Sequence, residues 1–86
     1  MAHVEIYSSP FCGYCMRAKA LLDNKGVAYT DIDVMMDGTK REEMMKRSGG
    51  DHRVPQIFIG GEHIGGSDDL VALDKAGKLD ALLQAL

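Results

Sequence analysis

Residues 4–15 read VEIYSSPFCGYC, and this stretch decides the fold. Apolar and polar side chains alternate over its first residues, with Val4 and Ile6 on one face, which predicts a short β-strand. The two cysteines of the chain, Cys12 and Cys15, stand where an apolar pattern typical of a helix begins. The stretch therefore predicts a strand, a turn and a helix with a thiol pair at its start.

The spacing of Cys12 and Cys15 is that of a redox pair. In the first turn of a helix, residues i and i+3 have Cα atoms about 5 Å apart, within the window of roughly 4.4–6.8 Å that a disulfide requires. The free N–H groups and the positive dipole end of the helix favour a thiolate on Cys12. Cys15 lies one turn deeper, so we expect it to attack only a disulfide already formed on Cys12. Cys12 is the predicted nucleophile and Cys15 the predicted resolving thiol.

Two other uses of a CxxC pair fit the sequence less well. A zinc site needs further ligands, but the chain has no other cysteine, and ten residues separate His52 from His63 where a zinc finger has three to five. A purely structural disulfide over so short a loop would remove little entropy from the unfolded chain.

Length and composition indicate one globular domain over residues 1–86. The hydrophobic fraction is 45% and the charged fraction 27%, which are ordinary values for such a domain. The sequence has no apolar run near 18 residues and no charged leader before an apolar stretch, so we expect neither a membrane span nor a secretory signal. An isolated thiol pair also suits a reducing compartment. The expected location is the cytoplasm.

The net charge of −3 is unevenly distributed. Residues 1–53 hold eight basic and eight acidic side chains, whereas residues 54–86 hold two and five. No basic stripe of the kind that binds nucleic acid is present, so no nucleic-acid partner is expected. Basic side chains do gather at Lys40, Arg41, Lys46, Arg47 and Arg53. These side chains either form the solvated face of a helix or attract a small anion weakly.

The rest of the pattern predicts the order βαβαββα with a short C-terminal helix, an α/β fold. The predicted strands cover residues 3–7, 27–33, 56–59 and 62–64. The predicted helices cover 13–25, a segment from Asp37 or Thr39 to about Ser48, a segment capped by Ser67-Asp68-Asp69 that ends before Gly77, and 79–86. Gly60-Gly61 is a two-residue hairpin turn of the type that requires two positive φ angles. The first two strands, joined through a helix, are expected to be parallel.

Three motifs together resemble the glutaredoxin family of the thioredoxin-like fold. They are the CxxC after the first strand, Val54-Pro55 before the third, and Gly65-Gly66-Ser67-Asp68 after the fourth. The likeness covers the whole chain and is strongest to bacterial dithiol glutaredoxins, here with a CGYC motif. It implies a four-stranded mixed sheet flanked by helices.

The resemblance also implies a glutathione site. In this family the peptide bond before the proline, here Pro55, is cis, and the backbone of the preceding residue, here Val54, pairs with glutathione as an added strand. Tyr14 would wall the groove. From the residues alone, an ordinary strand-initiating proline is the preferred interpretation of Val54-Pro55. Tyr14 could otherwise be a solvent-facing side chain.

Gly65-Gly66 and the helix after it form the other half of the implied site. Gly65-Gly66 allows a close backbone approach, and the N–H groups at the start of the following helix suit the γ-glutamyl carboxylate. The resemblance thus implies Gly66 and Ser67 as glutathione-binding residues. Asp68 would bind the γ-glutamyl ammonium. Ser67 and Asp68 are equally good plain N-caps, so this role too rests on the resemblance.

Three positions depart from the common family pattern. Ser9 stands where many members have a lysine, Arg53 stands where a threonine is usual, and Gly13 replaces the proline of CPYC. Arg41 and Arg53 are candidates to supply the cation that is absent at position 9.

The resemblance implies a glutathione-dependent thiol-disulfide oxidoreductase that reduces protein–glutathione mixed disulfides and protein disulfides. Glutathione is its co-substrate, and the protein is expected to be a monomer. A dimer holding a [2Fe–2S] cluster on Cys12 and glutathione is the alternative, since Gly13 is typical of cluster-binding members. Cys15 argues against it, because dedicated cluster carriers usually have serine there. A thioredoxin, or a redoxin reduced by thioredoxin reductase, fits less well, since the chain lacks tryptophan.

Overall fold

The computed structural model describes residues 3–84. Within them the element order is the predicted one: β1 Val4–Ser8, α1 Gly13–Asn24, β2 Thr30–Asp33, α2 Gly38–Arg47, β3 Gln56–Ile59, β4 Glu62–Gly65, α3 Ser67–Lys75 and α4 Leu79–Gln84. None of these helices has the length and apolar character needed to cross a bilayer.

The sheet is four-stranded and mixed, in the order β2-β1-β3-β4. β1 pairs in parallel with β2 and antiparallel with β3, and β3 pairs antiparallel with β4. Gly60 and Gly61 form the tight turn of the β3–β4 hairpin, with φ angles of 61° and 82°. The predicted α/β fold with a mixed sheet is confirmed, and β1 runs directly toward the helix that starts beside Cys12.

The prediction that β2 starts at Val27 was wrong, since the strand begins at Thr30. The end of α1 takes up the intervening chain. Gly26 adopts a φ of +70° and donates its N–H to Asp23, and Val27 donates its N–H to the Leu22 carbonyl. This pair of bonds is a Schellman cap, so the Val27 amide satisfies the helix end instead of a strand.

The N-cap of α3 lies one residue before the predicted capping segment, which began at Ser67. Gly66 is the N-cap and Ser67 the first helical residue. The Asp69 carboxylate closes the cap by accepting the Gly66 N–H at 3.0 Å. Gly65 has a φ of +121°, and a side chain there would collide with this carboxylate. The glycine pair therefore permits both the turn and the close approach of Asp69.

Other boundaries shift slightly. β1 extends to Ser8, because Ser8 pairs with Asp33 in the parallel ladder. Asp37 is the N-cap of α2 and accepts the amides of Thr39 and Lys40. The last predicted helix is described as far as Gln84, and positions 85–86 lie outside the described residues.

Helices cover both faces of the sheet. The larger core lies between the sheet and α1, α3 and α4, and includes Ile6 and Leu22. The smaller core, under α2, consists of Tyr7, Val34, Met44 and Phe58. Alternation along β1 sends Ile6 to one core and Tyr7 to the other.

Polar contacts contribute much of the packing of α2 against the sheet. Met44 is its one fully buried side chain. The Arg47 guanidinium lies 4.0 Å from the centre of the Phe58 ring and contacts both carboxylate oxygens of Glu5, at 3.0 and 2.9 Å. The Tyr7 hydroxyl donates to Glu43 at 2.7 Å.

Candidate functional site

Cys12 is the N-cap of α1. Its backbone is extended, and its Sγ accepts the Cys15 N–H at 3.3 Å. The side chain is only partly buried. A sulfur in this position meets the unpaired amides and the positive dipole end of a helix, which stabilise negative charge on it.

Cys15 is fully buried one turn further on. Desolvation, followed by its hydrogen bond with Cys12, raises the pKa of the Cys15 thiol to about 12, against smaller opposing influences of a hydrogen bond with the Ser9 backbone and of the Lys19 charge. Cys15 is therefore a protonated thiol at neutral pH, while Cys12 remains accessible from outside. This difference in depth is the one that the spacing predicted.

The loop before β3 approaches Cys12. The Val54–Pro55 bond is cis, as the resemblance implied. The Cys12 thiol donates to the Val54 carbonyl with a sulfur–oxygen distance of 3.8 Å. The nucleophile predicted from one motif and the backbone predicted to bind a peptide from another are therefore neighbours.

Val54 also lines an open groove of about 450 Å³, and Cys12 itself is not among the lining residues. The groove brings together seven of the residues that the sequence singled out: Tyr14, Arg53, Val54, Pro55, Gly66, Ser67 and Asp68. Tyr14 is 62% exposed and forms a wall. Gly65 of the predicted motif also lines the groove, and five further lining residues were not predicted: Asp51, Gln56, His63, Ile64 and Asp69. Of these, only Asp69 carries a local signal, as the third residue of a capping box.

The start of α3 faces the groove with an unsatisfied polar atom. Ser67 is 4% exposed, and its Oγ has no hydrogen-bond partner among the described residues. The Gly66 N–H is occupied by Asp69. The Ser67 and Asp68 amides belong to the first turn, where N–H groups lack partners within the helix. An anion would therefore meet Ser67 and Asp68, with Gly66 providing space.

The two arginines proposed as substitutes for a lysine differ in position. Arg53 lines the groove, is 79% exposed and makes a two-pronged contact with Asp51 at 3.0 and 2.9 Å. This ion pair holds the pKa of Asp51 well below its ordinary value. Arg41 is not among the residues that line the groove, and it donates to the His52 carbonyl at 2.9 Å.

Gly13 and the apolar side chains near Cys12 leave the sulfur approachable. A Cβ at position 13 would have no atom within 4 Å. Phe11, Tyr14 and Met16 are large apolar side chains that are all more than half exposed. Within residues 3–84, no group of three or more His, Cys, Asp or Glu side chains is placed to hold a metal ion.

Comparison with known proteins agrees with this geometry. A glutaredoxin family model matches residues 4–64. The chain is 57% identical over 84 residues to glutaredoxin 3 of Escherichia coli K12, an alignment covering 98% of this chain and 100% of that protein.

Solved structures give the same result. The crystal structure of a buckwheat glutaredoxin–glutathione complex superposes with a TM-score of 0.87 at 33% identity, covering 95% of this chain and 76% of that one. A chain from a structural study of metal binding by glutaredoxins superposes with a TM-score of 0.75 at 53% identity, covering 99% and 91%. With two cysteines in the family's arrangement, the chemistry is thiol–disulfide exchange, and the chain belongs to the glutaredoxin family.

Proposed function

We propose that this protein is a glutathione-dependent oxidoreductase that reduces protein–glutathione mixed disulfides and protein disulfides. The observation that carries the proposal is the contact between the Cys12 sulfur and the Val54 carbonyl, beside a groove that Val54 and the start of α3 both line. In this proposal residues 1–86 form a single domain that acts as a monomer in the cytoplasm.

The groove can accept each part of glutathione. The cysteinyl backbone would pair with Val54 as an added strand, which places its sulfur beside Cys12. The γ-glutamyl carboxylate would meet the amides at the start of α3 and the unpartnered Ser67 hydroxyl. The exposed carboxylate of Asp68 would bind the γ-glutamyl ammonium.

The exchange steps need no other cofactor. The Cys12 thiolate attacks the glutathione sulfur of a mixed disulfide, so a Cys12–glutathione disulfide forms and the protein leaves as a thiolate that takes up a proton. The thiolate of a second glutathione attacks the glutathione sulfur held on Cys12. Glutathione disulfide leaves, and the Cys12 thiolate returns.

A disulfide within a protein uses both cysteines. Cys12 attacks first and forms a mixed disulfide with the target. Cys15 then loses its proton and attacks Cys12, which releases the reduced target and leaves a Cys12–Cys15 disulfide. Two glutathione molecules reduce that disulfide. The exposed side chains of Phe11 and Met16 give target proteins an apolar contact beside the sulfur.

A reductase assay tests the proposal. The oxidised protein is mixed with NADPH and either glutathione plus glutathione reductase, or thioredoxin reductase. We expect NADPH consumption only in the glutathione mixture. Consumption driven by thioredoxin reductase alone would assign the protein to the other class of redoxins.

A glutathione-ligated [2Fe–2S] dimer is a second candidate function. The open space at Gly13 and the exposure of Cys12 favour it, since two copies could approach with their sulfurs facing each other. Two Cys12 thiolates and two glutathione thiolates would supply the four sulfur ligands that such a cluster takes. The similarity to a chain studied for metal binding by glutaredoxins also supports it.

A further inference from the structure

Gln56 is a polar side chain in an apolar place. It is 2% exposed at the start of β3, directly after the cis proline. Both ends of its amide have partners: Nε2 donates to the Arg53 carbonyl at 2.9 Å, and Oε1 lies 2.6 Å from Nε2 of His63. A buried amide that is satisfied at both ends has a fixed orientation.

These two contacts fix which partner donates and which accepts in each hydrogen bond of Gln56. The Gln56 Nε2 must face a carbonyl, which leaves its oxygen toward His63, and an oxygen acceptor requires the proton on His63 Nε2. Hydrogen bonds therefore run from His63 to Gln56 and from Gln56 to Arg53. Sheet geometry explains the meeting, because Gln56 and Phe58 share one face of β3 and His63 pairs opposite Phe58. The imidazole also lies against the Phe58 ring, with centroids 5.0 Å apart.

The anchored carbonyl belongs to the peptide unit that ends at Val54. In a planar trans peptide the carbonyl and the following N–H point in opposite directions. The Arg53–Val54 bond is such a unit, since the cis bond is the next one. Because Gln56 holds the Arg53 carbonyl, the Val54 N–H points away from Gln56, and we infer that this is the side on which a docked peptide would pair with Val54.

We propose that Gln56, itself oriented by His63, is a positioning residue that fixes the Arg53–Val54 peptide plane for strand-like pairing with the glutathionyl unit of the substrate. The inference rests on the proposed function, because it assumes that a peptide docks on Val54. Gln56 touches neither sulfur in this scheme. Its effect is on binding and not on thiol exchange.

Gln56→Glu is the sharpest test. The variant keeps the size and can still accept from His63, but it cannot donate to the Arg53 carbonyl and its charge repels that oxygen. We expect the apparent KM for a glutathionylated peptide to rise about fivefold, the worth of roughly one hydrogen bond, with kcat within about twofold of the wild type. Gln84→Glu, the same exchange at an exposed site on α4, should leave both constants unchanged.

His63→Phe probes the second link while keeping the ring against Phe58. We expect a smaller rise in KM, about twofold, and His3→Phe serves as its control. Because the two residues act in series, the double variant should be no worse than Gln56→Glu alone. An unchanged KM in Gln56→Glu, or a fall in kcat at constant KM, would overturn the inference. If Gln56→Glu does not fold, His63→Phe replaces it as the test, and an unchanged KM in that variant would overturn the inference.

A measurement without ligand separates this inference from the proposed function. The Val54 amide resonance of the free protein should shift in Gln56→Glu and stay in place in Gln84→Glu. An unmoved resonance would overturn the positioning role even if glutathione dependence is established. A wild-type protein that does not use glutathione would instead overturn the proposed function.

Discussion

The Sγ atom of Cys12 lies 3.8 Å from the carbonyl oxygen of Val54, although the two residues are 42 positions apart in the chain. The contact joins the start of α1 to the loop before β3. Val54 also lines the groove, so a peptide docked on its backbone would have its sulfur near Cys12. In the proposed function, this contact would couple recognition of the glutathionyl peptide to attack on its sulfur.

The two cysteines should have separable roles. Cys12→Ser should abolish reduction of glutathionylated substrates, because the exposed nucleophile is lost. Cys15→Ser should retain that activity and lose mainly the reduction of disulfides within proteins. Both are measured with a glutathionylated peptide and a protein disulfide as parallel substrates. Equal losses from both substitutions on the glutathionylated peptide would contradict the assignment.

Cys15 should resist modification until the solution is strongly alkaline. Burial holds the pKa of its thiol near 12, so iodoacetamide should modify Cys12 rapidly at pH 7 and leave Cys15 intact, as read by mass spectrometry. A thiol whose pKa is raised on folding stabilises the fold below the unfolded pKa of about 8.5 and loses that contribution as the pH rises toward 12. The reduced protein should therefore lose stability over this range more than Cys15→Ser does. Rapid double alkylation at pH 7 would contradict the burial argument.

Asp68 should affect binding more than chemistry. Asp68→Asn removes the charge but keeps the shape, and we expect the glutathione concentration for half-maximal rate to rise about three- to fivefold, the worth of an exposed ion pair. The maximal rate should change little. Glu42→Gln removes an exposed charge on α2 and is the control. An unchanged glutathione requirement would place the γ-glutamyl ammonium elsewhere.

Arg47 should stabilise the fold without affecting catalysis. Arg47→Met keeps an apolar stem over Phe58 but leaves the Glu5 carboxylate without its partner, and we expect a loss of about 2 kcal/mol in the free energy of unfolding by urea. The exposed neighbour variant Lys46→Met should cost little. A difference of less than half that loss between the two variants would show that the ion pair adds nothing.

The same pair predicts a pH dependence. The hydrogen bonds that the Glu5 carboxylate accepts from Arg47 lower the pKa of Glu5 from the ordinary value of 4.5. The stabilisation is therefore complete above that ordinary value and is lost as the pH falls through the lower folded-state pKa. Acidification should bring the wild type and Arg47→Met closer together in stability.

Gly13 should matter for cluster assembly. Anaerobic reconstitution with iron, sulfide and glutathione should give visible charge-transfer absorption and a dimer on gel filtration, both lost in Cys12→Ser. Gly13→Pro removes an N–H and stiffens the turn, so it should weaken both signals. A colourless monomer, or a coloured species that is indifferent to glutathione, would leave only the oxidoreductase function.

Local chemistry made much of this fold predictable. The alternation around Ile6, the spacing of the cysteines and the Gly60-Gly61 turn each depend on a few adjacent residues, and the structure has all three as expected. The start of β2 was misplaced because Val27 reads as a strand residue but closes the cap of α1. The preference of the β-branched Val27 for a strand was overridden by the capping of α1, which cannot be recognised from the sequence of that residue alone.

The site was predictable in part, for a different reason. Motifs predicted Tyr14, Val54 and Asp68 as site residues, and all three line the groove. Gln56 and His63 carry no such signal, because their meeting depends on the β3–β4 register and its irregularity at Ile57 and Phe58. Cross-strand partners can be assigned only when the register is known.

The shallow attachment of α2 has a consequence for how the molecule moves. Met44 is its single fully buried side chain, so little apolar surface opposes its detachment. We expect its amides to exchange with deuterium through local opening, well before those of β1 in the centre of the sheet. Arg41 on this helix holds the His52 carbonyl, so each opening releases the segment just ahead of Arg53. The side of the groove formed by Arg53 is therefore expected to move with each local opening of α2, while α1 keeps both sulfurs in place.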